Sequence, residues 1–106
     1  MWATLYNKRD MVNFDDRYQK APSIVSRKIG DDFILVPIRQ NMGDMESIFT
    51  LNETAALAWD AMDGLHSLAE IHQLILAEYN VSSEEAEKDL FELVAYLLEI
   101  DALVQV

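Results

Sequence analysis

The period of the apolar pattern changes once along this chain, from about two residues to about 3.6, and the change falls at Asn52. A period of two is typical of a half-buried β-strand, whereas the longer period is typical of an amphipathic helix. The 106 residues are enough for one domain with a modest core. The sequence therefore predicts an α+β domain in which strands come first and helices follow.

Three short strands are predicted in the first half of the chain. Residues 24–29 and 33–38 flank the turn Gly30-Asp31-Asp32, where glycine and aspartate permit a tight reversal. The third strand spans residues 46–51. Pro37 has no N–H to donate to a neighbouring strand, so we expect it at a strand end or on an open edge. Because the connections are short, the simplest topology is a three-stranded antiparallel meander.

Three helices are predicted in the second half, each preceded by a residue that can cap its first turn. Asn52 precedes the first helix, residues 53–62, which Asp63-Gly64 is expected to end. Ser-x-x-Glu spacings of the capping-box type open the second helix, residues 67–78, and the third, residues 82–100. Together with the strands, these helices form a winged-helix-like layout, a β-meander followed by a three-helix bundle.

The third helix has an unusually wide apolar arc, which covers about half of its circumference. The residues of this arc are Ala86, Leu90, Phe91, Leu93, Val94, Leu97, Leu98 and Ile100. The opposite side, which is expected to face water, carries Glu85, Asp89, Glu92 and Glu99. An arc this broad is either entirely core or in part the wall of a groove for a partner.

Residues 1–22 are predicted to form an N-terminal arm before a domain at residues 23–106. The arm holds four of the ten aromatic residues of the chain, namely Trp2, Tyr6, Phe14 and Tyr18. Disordered tails are poor in aromatic residues, so we expect the arm to dock on something, either on a sheet edge or in a second subunit to give a homodimer. At the other end, residues 102–106 either add a short strand or cover the core.

The charge of the chain is strongly negative and unevenly distributed. The formal net charge is −11, with +2 in residues 1–39 and −13 in residues 40–106, where Lys88 is the only lysine or arginine. Nucleic acids and anionic membranes are bound largely through cationic side chains, so both are disfavoured as partners. The charge favours a protein or peptide partner, or serves solubility alone.

No catalytic, metal-binding or cofactor-binding arrangement is predicted. The two histidines, His66 and His72, lack the spacing of metal ligands, and the chain has no cysteine. The three glycines fit turns or caps rather than a phosphate-binding loop. We therefore expect a protein that is not an enzyme. The absence of cysteine, of a signal-type N-terminus and of an apolar run of ~20 residues favours a cytoplasmic location.

A string of residues at the junction of strand and helix is characteristic of a known family. The string is Leu51-Asn52-Glu53-Thr54-Ala55-Ala56-Leu57-Ala58-Trp59, followed by Asp63-Gly64. Weaker matches follow at Ile71, Tyr79-Asn80-Val81, Asp89 and Leu97-Leu98. With these motifs the chain resembles the PqqD family, the coenzyme PQQ synthesis protein D group, over about residues 22–104.

The resemblance implies a non-enzymatic peptide chaperone, a recognition element for ribosomally made and post-translationally modified peptides. Such a domain binds the leader segment of a precursor peptide and presents it to a modifying enzyme, often a radical S-adenosylmethionine (SAM) enzyme. In the family the leader adds as a strand beside the third strand and lies against the third helix. On this chain, the resemblance places the peptide site at Ser47, Ile48, Phe49 and Thr50, with Leu90, Phe91 and Val94 across the groove.

Two other functions stay open at this point. One is a generic protein-interaction or regulatory domain that binds no precursor peptide. The other is a DNA-binding winged helix, which the layout permits although its recognition helix would bring Glu85, Asp89 and Glu92 towards the phosphates. The acid-rich helices also fit a strongly acidic leader poorly. The identity of the peptide, its modification and the pathway, PQQ synthesis or another, are left open.

Overall fold

A computed structural model describes residues 12–38 and 49–106 of the chain, and this part contains six strands and three helices. The strands are β1 (Arg17–Lys20), β2 (Ile24–Ile29), β3 (Asp32–Pro37), β4 (Phe49–Leu51), β5 (Asp63–Ser67) and β6 (Leu103–Gln105). The helices are α1 (Glu53–Asp60), α2 (Leu68–Glu78) and α3 (Ser83–Glu99). Within these residues no helix is long and apolar enough to span a membrane.

The predicted meander is confirmed, because β2, β3 and β4 form an antiparallel sheet in that order. The β2–β3 hairpin reverses at Gly30, whose φ of +63° is readily adopted by glycine. Pro37 is the last residue of β3 and lies opposite Ile24, as expected for a residue without an N–H. Residues 46–48 of the predicted third strand lie outside the described part of the chain.

The predicted helix caps are also confirmed. The Asn52 side chain accepts a hydrogen bond from a first-turn amide of α1 at 2.8 Å. Ser67 and Glu70 form a complete capping box at α2, in which each side chain bonds the other residue's N–H. Ser82 accepts a hydrogen bond from a first-turn amide of α3 at 3.1 Å. Each helix therefore begins where a local side chain satisfies one of its free N–H groups.

A second antiparallel sheet, in the order β5-β1-β6, is not among the predicted elements. The prediction that Asp63-Gly64 ends the first helix is wrong, because α1 ends at Asp60 and both residues belong to β5. Gly64 has a φ of +82°, and the pairing of β5 with β1 is irregular. Residues 63–67 form a strand because β1 lies alongside them. At the end of the chain, β6 confirms the alternative of one more short strand.

Residues 12–22 supply hydrogen-bond partners for the ends of two helices. The carbonyl oxygens of Phe14 and Asp16 accept hydrogen bonds from the first two N–H groups of α2, at 2.9 and 3.0 Å. The Lys20 ammonium donates to two carbonyl oxygens at the C-terminal end of α1. Such groups have no partner within their own helix, so this segment supplies partners at one end of each helix.

One hydrophobic core joins the two sheets and the three helices. Its largest fully buried side chains are Tyr18, Leu35, Trp59, Met62, Leu68, Ile71, Ile75, Leu90, Val94 and Leu97. Burial, together with a hydrogen bond to the Asp16 carboxylate, raises the pKa of the Tyr18 hydroxyl above its ordinary value. Residues 12–22 thus dock on the core of their own chain. The division into an arm and a domain at residue 22 stays a prediction, since residues 1–11 lie outside the described part.

Candidate functional site

The strand β4 forms one edge of its sheet. On one side it pairs with β3, and no second strand pairs with it within residues 12–38 and 49–106. The outer N–H and C=O groups of an edge strand can form hydrogen bonds with an added strand. In the described part of the chain, this edge is therefore open to another polypeptide.

The side chains of β4 alternate between two faces of the sheet, as in any strand. Thr50 is exposed, Phe49 is half-buried and Leu51 is buried in the core. The ring of Phe49 meets the ring of Tyr96 on α3 edge to face, with centroids 5.5 Å apart and planes at 82°. Because the Tyr96 side chain is 44% exposed, this aromatic pair brings α3 against β4 at the protein surface.

A cleft of about 380 Å³ lies between α1 and α3. Its α1 side is lined by Asn52, Thr54, Ala55 and Ala58. Its α3 side is lined by Asp89, Leu90, Glu92, Leu93 and Tyr96, and Ile75 of α2 completes it. We call the space bounded by these ten residues the cleft. The cleft lies next to the open edge of β4, because Asn52 directly follows β4 and Tyr96 contacts Phe49.

The cleft has an apolar floor and a polar rim. Ala58, Ile75 and Leu90, which form the floor, are each at most 1% exposed. Asp89 and Glu92 are exposed at the rim. A concave space of several hundred Å³ with an apolar lining and a few polar groups is typical of a binding site. An extended peptide on the β4 edge could place a side chain in this cleft.

The four strand residues of the predicted site are only partly within the described chain. Ser47 and Ile48 lie outside it. Phe49 and Thr50 lie on the open edge, and Phe49 contacts α3 through Tyr96. The structure thus brings Phe49 of the predicted site next to the third helix.

The three helix residues of the predicted site lie in different surroundings. Leu90 forms part of the cleft floor, and Val94 is fully buried in the core. Phe91 packs against Phe14 of the N-terminal segment, with ring centroids 4.9 Å apart. Of the three, Leu90 lines the cleft.

The angular positions on α3 explain this distribution. At about 100° per residue, Asp89, Leu93 and Tyr96 lie within about 60° of one another, whereas Phe91 lies about 160° from Leu93. The wide apolar arc therefore has a central core stripe, with Leu93 on the cleft flank and Phe91 on the other. Sequence reasoning missed Tyr96. It placed Asp89 on a solvated face, and Asp89 is indeed exposed, but it also lines the rim of the cleft. The sequence feature that could have placed residues 89, 93 and 96 on one face of α3 was their i, i+4, i+7 spacing.

Neither histidine lines the cleft. In β5, hydrogen bonds from the Leu65 N–H and the His66 ring lower the pKa of the Asp63 carboxyl to about 2. The buried His72 donates from Nε2 to the Ser83 carbonyl oxygen at 3.0 Å. Across the described ranges, no group of three or more His, Cys, Asp or Glu side chains is placed to hold a metal ion.

Comparisons with known proteins point to one family. Residues 36–103 match the model of PqqD, coenzyme PQQ synthesis protein D. No curated protein sequence matches significantly. A solved structure described as lasso peptide synthetase B1 complexed with the leader peptide has a TM-score of 0.68 and 27% identity, covering 83% of this chain and 98% of that one.

A second solved structure supports the fold. It is described as TbiB1 in complex with the TbiA(beta) leader peptide, and has a TM-score of 0.65 at 24% identity, covering 80% of this chain and 93% of that one. The residues that match the family model include β4, the lining of the cleft and all of α3. Since that match spans more than half of the sequence, the chain belongs to the PqqD family.

Proposed function

We propose that this protein is a peptide-binding chaperone without catalytic activity of its own. It captures the leader segment of a ribosomally made precursor peptide and presents it to a modifying enzyme. The observation that carries the proposal is the open edge of β4 beside an α3 face that lines a cleft. Membership of the PqqD family and the similarity to a structure described with a leader peptide support it.

The proposed complex is a β-augmentation, in which the leader adds as a strand to β4. Its backbone pairs with residues 47–50, the strand residues of the predicted site. Side chains of an added strand alternate in direction, so every second leader side chain points towards α3. There the leader contacts Leu93 and Tyr96 on the cleft flank, with the buried Leu90 at the floor.

Two alanine variants of α3 test this arrangement. Leu93→Ala removes an apolar wall of the cleft, and we expect it to weaken leader binding by roughly five- to thirtyfold, as for about 1–2 kcal/mol of lost apolar burial. Phe91→Ala is the comparison variant. The resemblance places Phe91 in the peptide site as well, but this half-buried residue of α3 packs on Phe14, on the flank away from the cleft. The leader affinity of this variant is expected to stay within about twofold.

The assay is calorimetric titration with synthetic peptides copied from short reading frames next to this gene, and circular dichroism checks that each variant folds. If Phe91→Ala weakens binding and Leu93→Ala does not, the leader lies on the Phe91 flank named by the resemblance. If the unmodified protein binds none of these peptides, the proposed function is contradicted.

The proposal includes a partner enzyme and a location. We propose a radical SAM or other peptide-modifying enzyme as the partner that receives the bound precursor. We also place the protein in the cytoplasm, where ribosomally made precursors are produced. A sequence without cysteine fits that reducing compartment.

A homodimer formed through the arm is a further part of the proposal. Of the four aromatic residues in the arm, Phe14 and Tyr18 pack within their own chain. Trp2 and Tyr6 are therefore the aromatic residues that we propose for contacts with a second subunit.

A further inference from the structure

Among the described residues, the charged side chains that line the cleft are both acidic. They are Asp89 and Glu92, which lie three residues apart on α3 and are therefore neighbours on its surface. Lys88 approaches Glu92 with an Nζ–Oε2 distance of 3.9 Å, but 62% of the Lys88 side chain is exposed. Among the described residues, none forms an ion pair with Asp89. The part of the cleft rim that the structure describes is thus acidic.

Below this rim the walls of the cleft are apolar. Leu90 is buried at the floor, and Ala55 and Leu93 are half-buried on opposite sides. A purely apolar guest would desolvate the Asp89 carboxylate above it without giving that group a partner, which is unfavourable. Lysine and arginine avoid this cost, because their aliphatic stems pack on apolar walls while the charged group stays at the rim. The exposed ring of Tyr96 also offers a face to a guanidinium group.

We infer that the peptide bound here carries a lysine or arginine whose stem lies in the cleft and whose charged group pairs with Asp89 and Glu92. The inference rests on the proposed function and specifies the class of leader. The net charge of −13 over residues 40–106 acts in the same direction, because its field attracts basic peptides and repels acidic ones.

The test is a selection with the full chain from random phage-displayed peptides of about ten residues, long enough to pair with an edge strand. The unmodified protein is compared with the double variant Asp89→Asn/Glu92→Gln, whose side chains keep nearly the same shape. The control is Asp15→Asn/Glu78→Gln, which removes the same number of negative charges at two exposed positions that do not line the cleft.

We expect the unmodified protein and the control to enrich peptides with lysine or arginine at one fixed position. The cleft variant should lose this preference and bind a selected basic peptide about fivefold more weakly or worse. Enriched peptides without a basic residue would overturn the inference while leaving peptide capture intact. A basic preference that survives in the cleft variant would also overturn it. If no peptide is enriched by the unmodified protein, the proposed function itself fails.

Discussion

Lys20 connects the N-terminal segment to the first helix, and its replacement by methionine is expected to destabilise the protein. The Nζ atom donates to the carbonyl oxygens of Asp60 and Met62, at 3.3 and 3.2 Å. It also lies 5.6 Å from the ring centroid of Trp59. Since α1 has no basic residue in its last turn, this cation comes from a distant part of the chain. Methionine keeps an aliphatic stem but has neither the charge nor the donor.

The size of the effect follows from three overlapping contributions. A cation at a helix C-terminus stabilises by about 0.3–1 kcal/mol. Two long hydrogen bonds from a half-buried ammonium add about 1 kcal/mol, and the contact with the Trp59 ring adds about 0.5–1 kcal/mol. Because one ammonium makes all three interactions, we expect a loss of about 2 kcal/mol in the free energy of unfolding. In a domain of this size, such a loss lowers Tm by roughly 8–15 °C.

Urea unfolding followed by circular dichroism measures this loss. Lys28→Met is the matched control, since Lys28 is exposed on β2 and its side chain makes no hydrogen bond or ion pair with the residues that the structure describes. Its free energy of unfolding should change by less than about 0.5 kcal/mol. Equal unfolding midpoints for the two variants would refute the conclusion that Lys20 stabilises the end of α1.

Two further predictions concern β5 and the arm. Gly64→Ala should cost about 2 kcal/mol and Gly30→Ala about 1 kcal/mol. Both glycines have positive φ, but an added Cβ meets the Gln19 Oε1 atom at 3.2 Å at position 64 and nothing within 4 Å at position 30. Thermal unfolding of the two variants measures these losses of stability. Equal losses would exclude the contact of the added Cβ with Gln19 as a cause of the difference. Removal of residues 1–11 keeps the docked segment and should lower the mass measured by light scattering, if the arm mediates a homodimer. Equal masses would exclude the arm from assembly.

The elements that depend only on residues close to one another in the sequence were predictable from the sequence. Asn52, Ser67 and Ser82 cap the three helices as expected, because a cap needs only a side chain and the amides two or three residues later. The hairpin of β2 and β3 is similarly local, with branched apolar residues on either side of a glycine turn. The family was also identified at this level, from the string at the start of α1.

The second sheet was decided by contacts between distant segments. Residues 63–67 contain a glycine and have a low preference for strand. Residues 17–20 lie in the segment that the sequence predicts to be an arm. They form β5 and β1 because they pair with each other, and β6 completes the sheet. Pairing across the chain leaves no local periodic signal, so no single window of sequence contains it.

The family resemblance implied which edge of the sheet is open, but neither it nor the sequence pattern showed which flank of α3 faces that edge. The apolar arc covers about half of the helix, and both of its flanks carry apolar residues. Phe91 contacts Phe14 on one flank, and Tyr96 contacts Phe49 on the other. The partners of both residues lie in remote segments, so the rotation of the helix about its axis is a property of the packed core. That rotation placed Asp89 and Leu93 at the cleft.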